Sequence, residues 1–317
     1  MKKCLPFMII LLLICNAVAT NEALDALWVG IVRTDGILVP IGTYYKDKWI
    51  NTWPQPSIDE QPQVDKLVKT TNGKAPLQNI PGPWKGAVKA IPENVYLWSE
   101  GSGPNNLKVL NVERYSSHCS GGWALKTSLQ PTKKERAAPI SKIGIATNFN
   151  TNVIPFKKID DSRVGFRLLQ AIKTKFDEKE KVSPAAPLKD RGNRAIELLE
   201  IYKAGNDING RSLYFIGAQR RYPKPSDAPD ADCYDLNCLN SWVAQQGNKI
   251  FFLSSEFTAT DCDGKEMNDV VPDAVISVQK RYYVVSENYG YEWESYTIHE
   301  ILDGSMKEVL KVDGGGC

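Results

Sequence analysis

Two apolar stretches joined by a tight turn make up residues 27–45, which read LWVGIVRTDGILVPIGTYY. Both stretches, 27–32 and 37–45, are rich in the β-branched and aromatic residues that favour strands. The Asp35-Gly36 pair between them is a strong signal for a two-residue hairpin turn. This segment predicts an antiparallel meander, and the same pattern recurs along most of the chain.

Further strand-like runs are short, and Gly, Pro and Asn residues separate them. They occupy residues 94–98, 107–115, 123–127, 142–146, 195–203, 212–220 and 249–257, and a final meander covers 274–302. Strands at spacings of roughly ten residues are typical of all-β domains. We therefore predict a mainly β fold of antiparallel meanders and hairpins, arranged as a sandwich, a barrel or a propeller. Prolines crowd residues 53–92, where we predict a long surface excursion because proline donates no sheet hydrogen bond.

One amphipathic helix is predicted near residues 162–181. Apolar residues recur there at every fourth position, namely Val164, Leu168, Ile172 and Phe176. Leu169 lies beside this stripe and charged residues lie elsewhere, so we expect the apolar stripe to pack on the sheet core. Residues 20–317 are predicted to form a single β-rich domain, with 160–185 as the place for a subdivision.

Residues 1–19 have the three parts of a secretory signal peptide. Lys2-Lys3 precedes an apolar run at 5–15, and Ala17-Val18-Ala19 supplies a small-residue cleavage site. The run is shorter than the ~20 residues that a membrane-spanning helix needs. We therefore expect cleavage before Thr20 and an exported, soluble protein, periplasmic or secreted, that does not insert into a membrane.

The charge of the mature chain argues against two classes of partner. Loss of the two leader lysines leaves 37 basic residues against 37 acidic ones. Proteins that bind nucleic acids or anionic membranes usually carry an excess of positive charge, and this chain has no dense Lys/Arg tract. We expect a glycan or another protein at the cell envelope as the partner, and no nucleic acid.

Five cysteines remain after cleavage. An oxidising compartment favours disulfides, and the candidates are Cys119, Cys233, Cys238 and Cys262. An odd number leaves one cysteine over. Cys317 follows three glycines, which we interpret as a flexible tail, so an intermolecular disulfide through Cys317 is a further hypothesis. A zinc site is not favoured, because the chain lacks two C-x-x-C pairs.

Signatures of common catalytic sites are missing from the sequence. The chain has two histidines, His118 and His299, and it lacks G-x-S-x-G, H-E-x-x-H, the phosphate loop and the dinucleotide fingerprint. We therefore predict a non-catalytic binding or interaction protein, with no catalytic or cofactor-binding residue assigned. The alternative is an exported hydrolase that uses dispersed carboxylates, or Cys119 with His299 as its base.

Two acidic segments have the composition of calcium-binding loops. The first contains Asp227, Asp230, Asp232, Asp235 and Asn237. The second contains Asp261, Asp263, Gly264, Asn268 and Asp269. Oxygen ligands at alternate positions suit Ca²⁺, but the fifth and twelfth positions counted from Asp261 hold Lys265 and Pro272. Solvated turns are therefore the favoured interpretation, with Ca²⁺ as the alternative and no metal ligand assigned.

The C-terminal aromatic segment is the best candidate for a binding surface. Tyr289, Tyr291 and Trp293 alternate, so their rings share one face if the segment is extended. Flat rings suit sugars and peptides as ligands. The competing and favoured interpretation places the three rings in the core, because aromatic residues dominate protein interiors.

Overall fold

The computed structural model describes residues 26–51, 66, 74–75, 92–116, 121–131, 140–160, 162–182, 194–207, 209–223, 233–260 and 264–316. These residues form 18 strands and one helix, so the predicted mainly β fold with one helix is confirmed. Four layers follow one another: the helix, two five-stranded sheets and a six-stranded barrel.

The first eight strands belong to the barrel and its two extensions. They are β1 (Leu27–Arg33), β2 (Ile37–Tyr45), β3 (Lys48–Ile50), β4 (Lys74–Ala75), β5 (Asn94–Ser99), β6 (Asn105–Ser116), β7 (Gly121–Thr127) and β8 (Lys142–Thr147). Six strands run antiparallel in the order β1-β8-β5-β6-β7-β2, and pairing of β2 with β1 closes the ring. Gly36 in the predicted β1–β2 turn has a φ of 79°, a conformation that favours glycine.

Side chains fill the interior of the barrel. The apolar cluster inside it consists of Trp28, Val32, Leu38, Val95, Leu97, Leu107, Val109, Val112, Leu125 and Ala146. A gap beside Trp28 and Gly30 measures about 10 Å³, which is room for about one water. The described part of the barrel therefore leaves no chamber for a ligand, as expected for a ring of so few strands.

Five strands form a C-terminal sheet that packs on the outside of the barrel. They are β9 (Asn152–Pro155), β15 (Asp269–Val278), β16 (Arg281–Tyr289), β17 (Trp293–Leu302) and β18 (Ser305–Gly316). Their order is β18-β17-β16-β15-β9, all antiparallel. Ile31 and Ile145 of the barrel join Ile276, Val285 and Ile298 of this sheet in one buried cluster.

A middle sheet covers the other face of the C-terminal sheet. Its strands are β10 (Lys157–Lys158), β11 (Glu197–Asn206), β12 (Ser212–Pro223), β13 (Tyr234–Gln246) and β14 (Lys249–Thr260), paired antiparallel in that order. Phe215 and Trp242, whose ring centroids are 4.9 Å apart, pack against Val275, Val284 and Ile301 of the C-terminal sheet. The two sheets therefore form a sandwich.

The helix α1 (Ser162–Val182) covers the outer face of the middle sheet. Leu168, Ile172 and Phe176 are fully buried there, against Ile216 and Val243. The expectation that the apolar stripe packs on a sheet is confirmed.

A buried ion pair fixes the C-terminal half of α1 to the middle sheet. Arg220 is fully buried, and its guanidinium donates to Glu180 and, at 2.9 Å, to Asp177. Glu180 also accepts hydrogen bonds from Tyr222 at 2.6 Å and from Asn237 at 2.7 Å. We call these five residues the Arg220 cluster. Because Glu180 has three donors, its desolvated carboxylate is well compensated.

Strand β13 lies between the predicted runs 212–220 and 249–257, where no strand was predicted from the sequence. Polar residues obscure its pattern, because Asn is depleted in strands. The amides make specific contacts instead: Asn237 donates to Glu180, and Asn240 donates to the Asn268 carbonyl at 2.7 Å. Tertiary hydrogen bonds therefore override the local signal.

Strand β18 corrects the interpretation of the C-terminal glycines as a flexible tail. Gly315 pairs with Glu294 and Gly316 pairs with Trp293. A Cβ added to Gly314 would lie 2.9 Å from Tyr296 Cε2, so glycine lets β18 approach β17 closely. Cys317 lies outside the described residues, and its intermolecular disulfide remains a prediction.

Candidate functional site

The predicted aromatic segment forms the hairpin between β16 and β17. Tyr289 ends β16, Tyr291 lies in the turn, and Trp293 begins β17. The Gly290 amide donates to the Trp293 carbonyl at 2.9 Å and closes the turn. The segment is therefore a tight turn and not one extended strand, so the alternation assumed from the sequence does not hold.

The three rings are divided between two faces of the C-terminal sheet. Val285 on β16 faces the barrel, and alternation places Tyr289 on the same face. Ile298 on β17 also faces the barrel, so Trp293 lies on the opposite face. The hairpin therefore brings Tyr291 and Trp293 to the rim of the sheet and turns Tyr289 inward.

The indole of Trp293 packs against Gly290 of the turn and is partly open to solvent. A Cβ added to Gly290 would lie 1.9 Å from Trp293 Nε1, so the indole occupies the space that a larger residue would need. The side chain is 38% exposed, and Lys311 Nζ lies 5.5 Å from its ring centroid. Glycine at position 290 therefore leaves the space that the indole occupies.

Tyr291 is the most exposed ring of the hairpin. It is 55% exposed, and Lys265 Nζ lies 5.8 Å from its ring centroid. The core interpretation favoured from the sequence is therefore wrong for Tyr291 and Trp293. These two rings, with Lys265 and Lys311 beside them, form a surface that we call the aromatic rim.

Tyr289 joins the hairpin to a buried group of charges. Its hydroxyl donates to Glu287 Oε2 at 2.6 Å, and Lys142 Nζ lies 3.4 Å from the same oxygen. Lys142 Nζ also donates to Asp273 Oδ1. We call Lys142, Asp273, Glu287 and Tyr289 the Lys142 cluster. It lies between β8 of the barrel and strands β15 and β16.

A bulge in β15 aims Asp273 at this cluster. Pro272 pairs with Ser286 and Ala274 pairs with Val285, so Asp273 is an extra residue in the ladder. Before the bulge Val270 packs towards the middle sheet, whereas after it Ala274 faces the barrel. Pro272 suits the site because it has no amide to donate.

The Lys142 cluster has more carboxylates than cations. Burial is the main cause that raises the pKa of Asp273, and the negative charge of Glu287 adds to the effect against the attraction of Lys142. Burial by itself lowers the pKa of Lys142, but Asp273 and Glu287 outweigh it and the net shift is upwards. Asp273 Oδ2 has no hydrogen-bond partner among the described residues. One ammonium thus faces two carboxyl groups, which favours retention of one proton.

Three more tyrosines and two more carboxylates lie around the cluster. Tyr296 donates to Glu294, and burial followed by the charge of Glu294 raises the pKa of Tyr296. Burial, with Glu294 as second cause, raises the pKa of Tyr115 to about 12. On the middle sheet, burial and then Glu200 raise the pKa of Tyr202 to about 12. All these phenols therefore remain protonated hydrogen-bond donors at neutral pH.

The Lys142 cluster can hold a proton, but it has little access to solvent. The side chains of Asp273 and Glu287 are 1% and 5% exposed, and that of Lys142 is 23% exposed. Neither the gap beside Trp28 and Gly30 nor a larger cavity lined by Val164, Arg167 and Tyr214 has a carboxylate or a histidine among its lining residues. The geometry therefore favours a proton-holding core over a site that contacts substrate.

The sequence interpretation did not identify the Lys142 cluster. Its members come from β8, β15 and β16, which are up to about 145 positions apart, and their pairing depends on tertiary structure. One signal was available: Asp273 interrupts the apolar run 270–278, where an unpaired charge would be costly.

His299 is placed in β17 and is mostly enclosed. Burial lowers its pKa, and the nearby Glu308 offsets part of that effect. Its Nδ1 has no hydrogen-bond partner among the described residues. The proposed partner Cys119 and the other histidine, His118, lie outside the described residues, so their pairing with His299 remains a hypothesis.

The cysteines differ in state. Cys238 is a buried free thiol, so it is not the disulfide partner that the sequence suggested. Burial, with Asp269 as second cause, raises the pKa of its thiol to about 11. Cys233 is buried and disulfide-bonded, and its partner is not among the described residues. The candidates Cys119 and Cys262 lie outside them.

The calcium hypothesis falls partly outside the described residues. Asp227, Asp230, Asp232, Asp261 and Asp263 lie there. Asn237 is not part of a loop: it lies in β13 and donates to Glu180. Asp235 is also in β13, while Gly264, Asn268 and Asp269 lead into β15. Among the residues that the structure describes, no group of three His, Cys, Asp or Glu is arranged to hold a metal.

Comparison of the chain with protein-family models, with curated proteins and with solved structures finds no match. Within the described ranges, no helix has both the length and the apolar character needed to cross a membrane.

Proposed function

We propose that this chain is an exported, non-catalytic protein of the cell envelope that binds a glycan through the aromatic rim. The observation that carries the proposal is the pairing of two exposed rings, Tyr291 and Trp293, at one hairpin. Large apolar rings are costly to leave in water, and they favour ligands with a flat apolar face. A pyranose ring has such a face, with hydroxyls around its edge.

The polar surroundings of the rings support a glycan over a purely apolar ligand. Lys265 and Lys311 lie near the two ring faces and can donate hydrogen bonds to sugar oxygens. Trp293 is fixed across Gly290 before any ligand binds, so little side-chain entropy is lost on binding. A protein partner is the competing outcome, and the same experiment distinguishes the two.

Export rests on the leader at residues 1–19 and is tested separately. Amino-terminal sequencing of the mature protein should read Thr20-Asn21-Glu22, and the protein should be recovered from the periplasm or medium. A retained Met1, or lipid on Cys15, would contradict the proposed cleavage.

Glycan binding is tested by titrating soluble envelope polysaccharide fragments while following intrinsic tryptophan fluorescence and, in parallel, heat of binding. Trp293→Ala and Tyr291→Ala should each weaken binding roughly tenfold or more, as stacked aromatic contacts usually do. Gly290→Ala should weaken binding while retaining Trp293, because the added methyl displaces the indole. Phe166→Ala is the matched control, since Phe166 is 66% exposed on the distant helix.

Two results would overturn the proposal. The first is glycan affinity that is unchanged in Tyr291→Ala and Trp293→Ala, or equally reduced in Phe166→Ala. The second is a rise in reducing ends when the protein is incubated with glycan, because that would favour the hydrolase with dispersed carboxylates. A third result would replace the glycan with a protein partner: the chain binds an envelope protein but no glycan, and Tyr291→Ala and Trp293→Ala abolish that binding.

The disulfide framework is also proposed, and register indicates the pairing. Leu236 of β13 lies opposite Thr260 of β14. In the sequence Cys233 comes three residues before Leu236 and Cys262 two residues after Thr260, which supports a link between them at this end of the strand pair. We therefore propose Cys233–Cys262 as an intramolecular disulfide. Peptide mapping without reduction should recover the two peptides joined, and a Cys233 peptide linked to Cys119 would contradict this pairing.

A further inference from the structure

A second surface feature lies on the opposite side of the molecule from the barrel, between α1 and the middle sheet. It is a cavity of about 220 Å³ lined by Val164 and Arg167 of α1, Ser212 and Tyr214 of β12, and Gln245 and Gly247 at the end of β13. Since one water occupies about 30 Å³ of liquid, the cavity has room for roughly seven waters or one compact organic molecule.

Positive charge surrounds this cavity without a matching carboxylate. Arg167 is exposed and has no ion-pair partner among the described residues. Lys203 Nζ lies 5.6 Å from the ring centroid of Tyr214, which lines the cavity. No acidic side chain is among the described lining residues. The electrostatic field in the cavity therefore favours an anion.

Strand pairing places a third cation, Lys157, next to Lys203. Lys157 of β10 lies directly opposite Lys203 of β11. Like charges in directly opposed positions destabilise a sheet. Among the described residues Lys157 forms an ion pair with Glu100 at 3.8 Å, and both side chains are more than half exposed. This unfavourable pair would be relieved by an anion bound beside Lys203.

Polar groups in the cavity can complete the recognition of such a ligand. Gln245 Nε2 donates to the Gly247 carbonyl at 2.9 Å, which fixes the amide and leaves its Oε1 as an acceptor. The Ser212 hydroxyl can donate to an oxyanion, and a guanidinium binds carboxylate or phosphate with paired hydrogen bonds. Tyr214, which is 4% exposed, forms an apolar floor.

We propose that this cavity binds a small molecule carrying an oxyanion, either a carboxylate or a phosphate, with Arg167 as the main ligand-binding residue. Lys203 supplies further positive charge, and Ser212 and Gln245 bind polar atoms of the ligand. This site is distinct from the aromatic rim, which lies at the β16–β17 hairpin of the C-terminal sheet.

The test measures binding of three probes to the full mature chain by calorimetry at constant ionic strength. The probes are inorganic phosphate, acetate and benzoate, with chloride as the compensating anion. Phosphate affinity alone indicates a phosphoryl ligand, whereas higher affinity for benzoate than for acetate indicates a carboxylate on an apolar body. Either result supports the site, provided that Arg167→Gln weakens binding roughly tenfold or more.

The matched control is Lys181→Gln, which removes the same charge from an exposed position at the other end of α1. It should leave affinity within about twofold, because a distant exposed charge is screened by salt. Gln245→Leu should weaken binding without loss of the fold. Trp293→Ala should leave probe affinity unchanged, so failure of this site and failure of the aromatic rim are distinguishable.

Three outcomes would overturn the inference: no heat with any probe, equal losses in Arg167→Gln and Lys181→Gln, or binding that Arg167→Gln leaves unchanged. Because Arg167 is exposed, its substitution should not alter the melting temperature, and a melt of each variant confirms that comparison.

Discussion

The Arg220 cluster and the Lys142 cluster both bury charge between layers, but they are balanced differently. In the first, Arg220 faces Glu180 and the partly exposed Asp177, and two neutral donors complete the shell of Glu180. In the second, a single ammonium faces the nearly inaccessible Asp273 and Glu287. The first cluster fixes a helix to a sheet, whereas in the second the raised pKa of Asp273 favours retention of a proton between the barrel and the C-terminal sheet.

The difference appears as opposite responses to pH. Burial by itself raises the pKa of Asp177, but hydrogen bonds from Lys173 and Arg220 outweigh it, and the net shift is downwards. Its contribution to stability is therefore present above the unfolded pKa and is lost as pH falls through the folded value. The pKa of Asp273 is raised, so its contribution is present below the unfolded pKa and is lost as pH rises through the folded value.

Breaking the Arg220 cluster should have the largest effect. Arg220→Ala leaves the buried Glu180 without its cation, and removing one partner of a buried pair costs about 3–5 kcal/mol. Urea unfolding followed by circular dichroism measures the change. Arg221→Ala is the control, because Arg221 is half exposed and pairs with Glu197 at 3.3 Å on the surface. It should cost less than about 1 kcal/mol, and similar losses in both variants would contradict the structural role of Arg220.

The substitution Asp273→Asn tests whether the Lys142 cluster holds a proton, because the asparagine side chain resembles the protonated carboxyl. Between pH 5 and pH 8 the wild-type protein should lose stability relative to this variant as pH rises, because the folded state keeps the Asp273 proton up to its raised pKa of about 8 whereas the unfolded state has already released it. The expected difference is at least about 1.4 kcal/mol, the value of one pKa unit. Urea unfolding across that range measures it. Parallel profiles of the two proteins would show that Asp273 is not the group that holds the proton.

The aromatic rim should contribute less to stability than either cluster. Trp293→Ala removes a ring that is 38% exposed at a sheet rim, so no closed cavity forms. We expect a loss of about 1 kcal/mol, well below the 3–5 kcal/mol of a fully buried aromatic residue. Thermal melts compare the two proteins. A loss in the range of a core residue would favour a structural role for the indole and weaken the glycan proposal.

The smallest effect is expected at Cys238, which reports on opening of the middle sheet near the Arg220 cluster. Its thiol is buried and its raised pKa of about 11 leaves little thiolate at neutral pH. Alkylation in the native state should therefore be slow. Arg220→Ala should accelerate it more than Asp273→Asn does, because Asn237 of the cluster is adjacent to Cys238 on β13. Equal rates in both variants would mean that the clusters do not stabilise separate layers.

The regular elements were predictable from local pattern. The β1–β2 hairpin is signalled by Asp35-Gly36, and α1 by apolar residues at every fourth position. Barrel closure was not predictable, because pairing of β1 with β8 depends on contacts across more than a hundred residues. Strand β13 was missed because its asparagines satisfy tertiary partners that no local rule reveals.

The candidate sites were predictable only in part. The exposed pair Tyr291 and Trp293 was identified by residue type. That Tyr289 faces the barrel instead of joining them depends on the turn at Gly290, which the sequence pattern did not reveal. The Lys142 cluster and the Arg167 cavity each need side chains from three separate elements. One signal of the Lys142 cluster was present in the sequence: Asp273 lies inside an apolar strand, and a buried carboxyl group requires a compensating partner.

Closure of the barrel also sets the order in which this chain can fold. Val29 of β1 pairs with Thr147 of β8, so one edge of the first strand is completed only by a partner about 120 positions further along the chain. Such distant pairing slows folding. The C-terminal meander of β15 to β18 pairs successive neighbours and needs no such wait. During synthesis the barrel strands, which need distant partners, therefore emerge first, and the C-terminal meander, which pairs locally, emerges last. Until β8 has been made, the edge of β1 that pairs with it is exposed and can pair with wrong partners.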